Sequence, residues 1–479
     1  MAESPAAGPG PAAITITVDG RPVRCRPDTS VAVALFESGR RELSHSHKYG
    51  RPRGLTCARG HCTSCLMRID GVPNVRTCET RVRDGMTVAV QDTGTFYGGP
   101  MQKMLGLGSR WVPVGFYYKW FTRPATVSRF FLERIRPMTG VGRLPDAAAS
   151  RRALPAAASA SPPAAPDLGH VARLVVGGGP SGLRAALAGG GPTLVIDDMP
   201  VPGGQRKAAL DAVAHADVDL LPRFPGLADA RERIQAAVNA LNDRPGIRFV
   251  GDSKVLAGYQ PGGVVVRRPD GVATARCDEL VWAAGALDAF GLFPGNDTPG
   301  IFGPRALYRI VARDGLDVAG RHALLVGSGP DLWLSAALLH GRGALVKLVV
   351  TGGGNQSEVA AAVDLKWPLN TGLRLDEVRG SGPHALRATF VPRRSAPGPK
   401  GSHMHLEADF MVLCGAGKPA YDVPFQLGAD LVLDPARGGY VPRGSTPDGA
   451  DFTAPLAGGL NLTWTGGACG RAAAERSAP

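Results

Sequence analysis

The sequence predicts a mixed α/β chain: an N-terminal α+β module of β-grasp type, followed by a larger unit built on two dinucleotide-binding folds. Three observations carry this expectation. Four cysteines, Cys57, Cys62, Cys65 and Cys78, lie together between short alternating stretches. Gly177, Gly179 and Gly182 follow an apolar run and open a helical pattern. The same order of strand, glycine turn, helix and strand returns about 150 residues later, at Gly327 and Gly329.

A chain of 479 residues exceeds one core, since single cores stop growing near about 250 to 300 residues. Hydrophobic residues at 44% and charged ones at 20% are ordinary globular usage, and 65 glycines with 41 prolines imply many turns. The formal charge of +13 is dispersed, with no run of five like charges and no aromatic-basic module. That pattern reads as a basic surface and argues against a nucleic-acid partner. No stretch approaches the roughly 18 apolar residues of a spanning helix. The first residues, MAESPAAGPGPAA, lack the basic and apolar regions of a secretory signal. A cytoplasmic location follows, where clustered thiols hold metal more often than disulfides.

The elements follow in order. Residues 1–12 read as a disordered tail, and 13–110 as the cysteine-bearing domain. Within it, ITITVDGRPVRC alternates and turns at Asp19-Gly20, a hairpin signature. TSVAVALFESGR reads as a helix with Ser30 as N-cap and Gly39 as C-cap, and CLMRIDG and MTVAVQ supply two more strands. Residues 111–145 form a connecting helical segment. There VSRFFLERIR, between Pro124 and Pro137, suits packing between domains and leaves peripheral membrane association open. Residues 146–168 are an Ala/Pro linker. Residues 169–300 and 409–479 are read as two parts of the first nucleotide-binding domain, with 301–408 as the second inserted between them.

The cysteine spacing, C-x4-C-x2-C with a fourth Cys further on, is the plant-type [2Fe-2S] pattern. Gly54 and Gly60 allow a tight loop whose N–H groups face the sulfurs. Zinc prefers paired C-x2-C units, of which only one is present, and it stays as an alternative beside structural thiols. His45 and His47 form an H-x-H that four thiolates make unnecessary, and His61 is read as lying beside the loop without ligating. Cys25, Cys277, Cys414 and Cys469 are taken as buried small hydrophobes.

In G-x-G-x-x-G, Gly177 permits the tight turn, Gly179 lets a pyrophosphate approach, and Gly182 lets helix and strand pack closely. Pro180 and Ser181 open the helix, whose N-terminus favours phosphate. Asp197 ends the next strand, placed to accept ribose hydroxyls. Gly204 and Gln205 in VPGGQ, Ala284 and Gly285 in ELVWAAGALD, and the closing Gly466-Gly467 add further turns facing the same ligand. The second motif has Leu332 at the third glycine position, and its second strand ends in Val349, Val350 and Thr351 without an acid. It is read as a domain that keeps the fold without binding NAD(P), with nucleotide binding as the alternative. No triad, carboxylate pair or metal-histidine spacing stands out, so the catalytic residues stay unknown.

The stretches HKYGRPRGLTCARGHCTSC, RIDGVPNVRTC with RDGMTV, VGFYYKWF with ERIRPMTGVG, LVVGGGPSGLRAAL with VPGGQ, LVGSGPDLWL and ADFMVLCGAGKP resemble one group in shared order. That group is the alpha-type subunit of opine oxidases and amino-acid dehydrogenases. It is related to the FAD subunit of hydrogen cyanide synthase and to the alpha subunit of heterotetrameric sarcosine oxidase. The resemblance implies a [2Fe-2S] ferredoxin-like domain followed by a disulfide-reductase-like flavoprotein fold. It makes Cys57, Cys62, Cys65 and Cys78 the cluster ligands, and Gly177, Gly179, Gly182 and Asp197 the holders of the ADP part of FAD, or of NAD or another adenine nucleotide.

The resemblance further implies an electron-transfer subunit of an amine or imino-acid oxidase or dehydrogenase, acting on opine, sarcosine, proline-like or glycine-like substrates. The substrate would be oxidised at a flavin-containing beta-type partner subunit, with room for a further small subunit. Two other readings stand beside it: a stand-alone NAD(P)H-dependent flavoprotein reductase, and a scaffold with vestigial nucleotide sites. Three departures matter. Ala58 follows the first ligand where glycine is usual, Gly466-Gly467 lacks an accompanying Asp, and some relatives extend further.

Overall fold

The computed structural model describes residues 13–46, 51–91, 123–130, 167–259, 262–352, 356–380, 385–393, 403–415, 417–434, 439–443, 452–455 and 461–464. The expected tail, most of the 111–145 segment, nearly all of the linker, His47, Gly466-Gly467 and Cys469 lie outside these residues. Within the expected connecting helix, residues 125–130 are helical.

The first domain grows from the hairpin Ile14–Val18 and Arg21–Cys25. Asp19 (φ 46°) and Gly20 (φ 80°) both take left-handed conformations, the turn whose twist matches that of the flanking strands. The helix Val31–Glu37 starts where Ser30 accepts the Val33 N–H at 3.4 Å. Ser38 is its C-cap, and Gly39 (φ 88°) follows one residue beyond the cap. Val31 to Phe36 are all buried, because the helix is covered on both sides. Its own sheet lies on one, and Phe302 of the second unit meets Phe36 edge-on at 5.5 Å on the other. The sheet order is Arg21–Cys25, Ile14–Val18, Thr87–Ala89, Leu66–Ile69, Val72–Arg76. The strand Ile14–Val18 pairs in parallel with Thr87–Ala89, which makes the β-grasp. Val72–Arg76 is a strand that the sequence reading does not separate.

The first nucleotide unit has the sheet order Ile247–Val250, Thr193–Ile196, Asp167–Val176, Gly271–Trp282, Gly263–Arg268, Lys254–Tyr259. Gly271–Trp282 serves twice. Its first half closes an antiparallel meander, and its second half runs parallel between Asp167–Val176 and Asn461–Trp464. The strand Asp167–Val176 begins inside the range expected for the linker, because Asp167 pairs with Thr274. Helices Pro180–Ala188, Gly204–Ala216 and Pro225–Asn242 pack beside this sheet.

The second unit is a parallel sheet in the order Ile301–Phe302, Phe410–Cys414, His322–Gly327, Leu345–Val350, Leu369–Thr371. Phe410–Cys414 therefore belongs here, and the boundary expected at 409 lies after Cys414. All five of its residues are buried between two parallel neighbours, the situation that demands an uninterrupted apolar run. A three-stranded antiparallel sheet, Leu373–Gly380, Leu386–Pro392 and Met404–Ala408, completes the unit. The chain passes between the two units at Ala286–Asp288, paired antiparallel with Gly417–Pro419. Cys25, Cys277 and Cys414 are buried, as expected of small apolar side chains. Among the described residues no helix is long and apolar enough to cross a membrane.

Candidate redox site

The four clustered cysteines occupy one loop and the turn after the strand Val72–Arg76, and all are free thiols. The loop is shaped by close approach. A Cβ on Gly54 would lie 2.6 Å from Arg41 O, and one on Gly60 (φ 70°) would lie 2.2 Å from the Glu79 carboxylate. Ala58, fully buried, is held at φ 50°, which explains why glycine is the more comfortable residue after the first ligand.

Sγ of Cys57 accepts N–H bonds from Arg59 at 3.5 Å and Cys62 at 3.4 Å. The thiols also bond to one another: Cys62 and Cys78 to Cys57, and Cys78 to Cys65. Cys57 is thereby pushed well below the usual thiol range, Cys65 is lowered to about 7, and Cys62 and Cys78, which give the protons, are raised. Two sulfurs thus carry thiolate character before any metal binds. The thiols form a string, Cys62–Cys57–Cys78–Cys65. Among the described residues no three ligand side chains converge on a point that would hold a single ion. A string of four thiols with N–H groups aimed at one end fits two irons better than one zinc. His61 lies beside the loop as expected. Partial burial and the charges of Arg59 and Lys254 lower it to about 4, so it is neutral at physiological pH. His45 stands 3.7 Å from Glu42.

The first glycine motif divides its labour as the sequence predicts. A Cβ on Gly177 (φ 108°) would sit 2.2 Å from Ala283 O, and one on Gly182 would sit 1.7 Å from Gly177 O. The protein's own backbone needs both glycines. A Cβ on Gly179 would meet nothing within 4 Å, so this position faces open space, the approach that a pyrophosphate requires. Pro180 and Ser181 form the first turn of the helix Pro180–Ala188. Gly203 N–H bonds Gly178 O at 2.8 Å, and a Cβ on Gly204 would lie 3.0 Å from Gly179 Cα. The structure thus brings the VPGGQ turn onto the motif. Beside it, Gln205 Nε2 and Arg206 Nε are buried without hydrogen-bond partners among the described residues. Ala284 and Gly285 (φ 71°) follow the neighbouring strand, and a Cβ on Gly285 again meets nothing. Open space bordered by unpaired donors fits an anionic nucleotide.

Asp197 faces inward more than its place at the strand end suggests. Its Oδ2 accepts Gly178 N–H at 2.5 Å and its Oδ1 accepts Met199 N–H at 2.7 Å, so it also builds the glycine turn. Each oxygen keeps a second lone pair for a ribose hydroxyl. Burial and the adjacent Asp198 push its carboxyl up to about 6. Sequence reasoning misses Asp198, although the Asp-Asp doublet is a visible signal. Its Oδ2 lies 3.0 Å from Arg309 Nη1 and 3.5 Å from Arg59 Nε. Burial alone would raise Asp198, but the charges of Arg59, Arg309, Lys254 and Arg313 hold it well below the usual carboxylate range.

The second motif differs. A Cβ on Gly327 would collide with Cys414 O at 2.0 Å, so this glycine too is structural. Leu332 is wholly buried. Asp331, in the first turn of the helix Pro330–Gly341, accepts hydrogen bonds from Arg206 at 3.3 Å and from the Tyr308 hydroxyl at 3.2 Å. The helix end a phosphate would use already carries a carboxylate.

The two sites are joined. Lys254 Nζ bonds Glu79 Oε1 at 2.6 Å and the Arg59 carbonyl at 2.5 Å, while Arg267 Nη2 reaches Glu79 Oε1 at 2.9 Å. Further along, Arg81 pairs with Asp314 at 3.0 Å and Arg26 donates to Gly315 O at 2.7 Å. None of these contacts is local in sequence, so no motif signals them.

Residues 11–93 match the family model described as a 2Fe-2S iron-sulfur cluster binding domain. The chain is similar to the alpha subunit of sarcosine oxidase from Rhizobium meliloti (strain 1021). They are 27% identical over 377 residues, covering 74% of this chain and 35% of that protein. It is also similar to the alpha subunit of sarcosine oxidase from Corynebacterium sp. (strain P-1), at 24% identity over 96% of this chain and 43% of that one. The chain thus spans well under half the length of these relatives. Hydrogen cyanide synthase subunit HcnA of Pseudomonas aeruginosa is 38% identical over 78 residues, 16% of this chain and 74% of HcnA. Among solved structures, L-proline dehydrogenase from P. horikoshii has the same fold at TM-score 0.56 and 16% identity, covering 95% of this chain and 69% of that chain. With this domain order, its four-thiol string and its paired nucleotide units, the chain belongs with the alpha-type subunits of sarcosine and opine oxidases, and its cluster domain is of the kind found in HcnA.

Proposed function

We propose that this chain is the electron-transfer subunit of a multi-subunit, flavin-dependent oxidoreductase acting on CH–NH or CH–NH2 donors. Cys57, Cys62, Cys65 and Cys78 hold a [2Fe-2S] cluster. Gly177, Gly179, Gly182 and Asp197, with Gln205 and Gly285 beside them, hold the ADP part of FAD. When bound, the flavin supplies two-electron chemistry and the cluster accepts electrons singly. A beta-type partner subunit oxidises the amine or imino acid. The observation that carries this reading is the joining of a four-thiol loop to a glycine motif within one chain by Lys254, Glu79 and Arg59. The names of the relatives, sarcosine and opine oxidase subunits, support the substrate class.

The test is direct. Purified chain should contain about two irons and two acid-labile sulfides, and release FAD on denaturation, identified by mass spectrometry. Cys62→Ala should remove the visible absorption of the cluster. A protein free of iron and sulfide, or one releasing only NAD, sinks the corresponding part. Co-purification of a flavin-containing subunit with the tagged chain checks the partner.

A further inference from the structure

We propose that Arg59 is a positioning residue through which a nucleotide on the first glycine motif changes the reduction potential of the iron–sulfur cluster. This rests on the reading above, that both groups bind.

Arg59 sits between the first two ligands, Cys57 and Cys62, and engages both sites at once. Its N–H donates to Cys57 Sγ at 3.5 Å, the kind of bond that tunes a cluster. Its carbonyl is held by Lys254 Nζ at 2.5 Å. Its guanidinium lies 3.5 Å from Asp198 Oδ2, and its Nη1 reaches the carbonyl of Ala286 at 3.4 Å. Ala286 follows the Ala284-Gly285 bend, and Asp198 follows the Asp197 that holds the glycine turn. No other described residue bonds a ligand sulfur and also both borders of the nucleotide site. The side chain is 16% exposed and Asp198 is 14% exposed, so solvent screens this pair weakly. Nε of Arg59 has no hydrogen-bond partner among the described residues, which leaves the guanidinium held by charge and free to shift.

The sign follows from the charges. A ribose hydroxyl donating to the Asp197–Asp198 pair draws carboxylate charge away from Arg59. The guanidinium beside Cys57 is then less neutralised, and the additional negative charge of a reduced cluster is better tolerated. The potential therefore rises when nucleotide binds, and by reciprocity the reduced protein binds nucleotide more tightly. The phosphates of the nucleotide act directly in the opposite sense. Removing the Arg59 side chain should leave only that lowering.

The experiment uses the full chain with its cluster intact, freed of bound nucleotide and then saturated with ADP, the half shared by FAD and NAD. Reduction is followed by electron paramagnetic resonance in a redox titration, and ADP affinity by calorimetry on oxidised and reduced protein. The expected result is about tenfold tighter ADP binding to the reduced form, equivalent to a rise of about 59 mV for one electron. Arg59→Met should abolish or reverse the shift, Arg59→Lys should restore part of it, and Asp198→Asn should abolish it from the other side. An unchanged potential in wild-type protein carrying both cluster and ADP overturns the inference. So does an equal shift in Arg59→Met, or in Asp198→Asn if the former does not fold. A missing resonance signal or missing ADP binding instead overturns the reading on which the inference rests.

Discussion

Lys254 Nζ stands 2.6 Å from Glu79 Oε1, fastening the residue after the fourth cysteine to the start of a strand 175 positions downstream. Glu79 is 8% exposed and holds Arg267 as well. Burial alone would raise its carboxyl, but the two cations lower it. Glu79→Gln leaves Lys254 short of its partner in a mostly buried site. We expect a loss of about 2 kcal/mol, less than for a fully buried pair because Arg267 is half exposed. Urea unfolding should show the first domain melting in a separate, earlier transition. Because this carboxyl is depressed in the fold, its contribution is present above the usual carboxylate range and lost on acidification below it.

The glycines of the first motif should separate binding from folding. Gly179→Ala adds a Cβ in open space, so thermal stability should change little while affinity for ADP or FAD falls at least tenfold. Gly182→Ala puts a Cβ 1.7 Å from Gly177 O and should yield little folded protein. Equal affinity in Gly179→Ala and wild type would refute the assignment of this turn to phosphate.

Ala58 carries a left-handed conformation at φ 50° that costs an L-residue on the order of 1 kcal/mol. Ala58→Gly removes that strain but gains unfolded-state entropy. The expected net stabilisation is about 0.5 kcal/mol, read as a small rise in Tm with unchanged cluster absorption.

Asp197 is raised to about 6 in the fold, against an ordinary value near 4. A raised carboxyl favours the protonated form, so its contribution is present below the unfolded value and is lost as pH rises through about 6. The difference in unfolding free energy between wild type and Asp197→Asn should therefore drift against wild type from about pH 4 to 6, then level. A flat difference across that window would contradict the inward-facing placement of the carboxylate.

At the second motif, Leu332→Ala should cost about 3 kcal/mol by opening a cavity and should not confer NADH binding, because Asp331 still faces the helix end. Fluorescence titration with NADH checks this. Saturable binding would revive the reductase reading.

Much of both sites is legible in the residues alone. Cys57, Cys62, Cys65 and Cys78 declare themselves by spacing, because two irons demand four thiolates on a short loop. Gly177, Gly179 and Gly182 do so because only glycine permits those backbone approaches. Ala58 is legible as a departure, and its positive φ supplies the reason. The role of Asp197 is half legible: its place at the strand end is a matter of spacing, but the turn of its carboxylate toward Gly178 is a matter of packing. The boundary at 409 misleads because an apolar run such as Phe410–Cys414 signals burial without saying which sheet provides it.

The sequence by itself determined the local chemistry: which thiols cluster, which glycines turn, and that Leu332 and Thr351 weaken the second motif. These are short-range constraints of covalent spacing and backbone sterics, carried by a few neighbouring residues. Only the tertiary structure decided that Arg59, Glu79, Lys254, Asp198 and Arg309 gather into one buried charge network between cluster loop and nucleotide site. Those residues come from loops and strands scattered over about 250 positions, and each alone reads as an ordinary surface charge. Their meaning comes from shared burial, where charges far apart in the chain must neutralise one another because water no longer does.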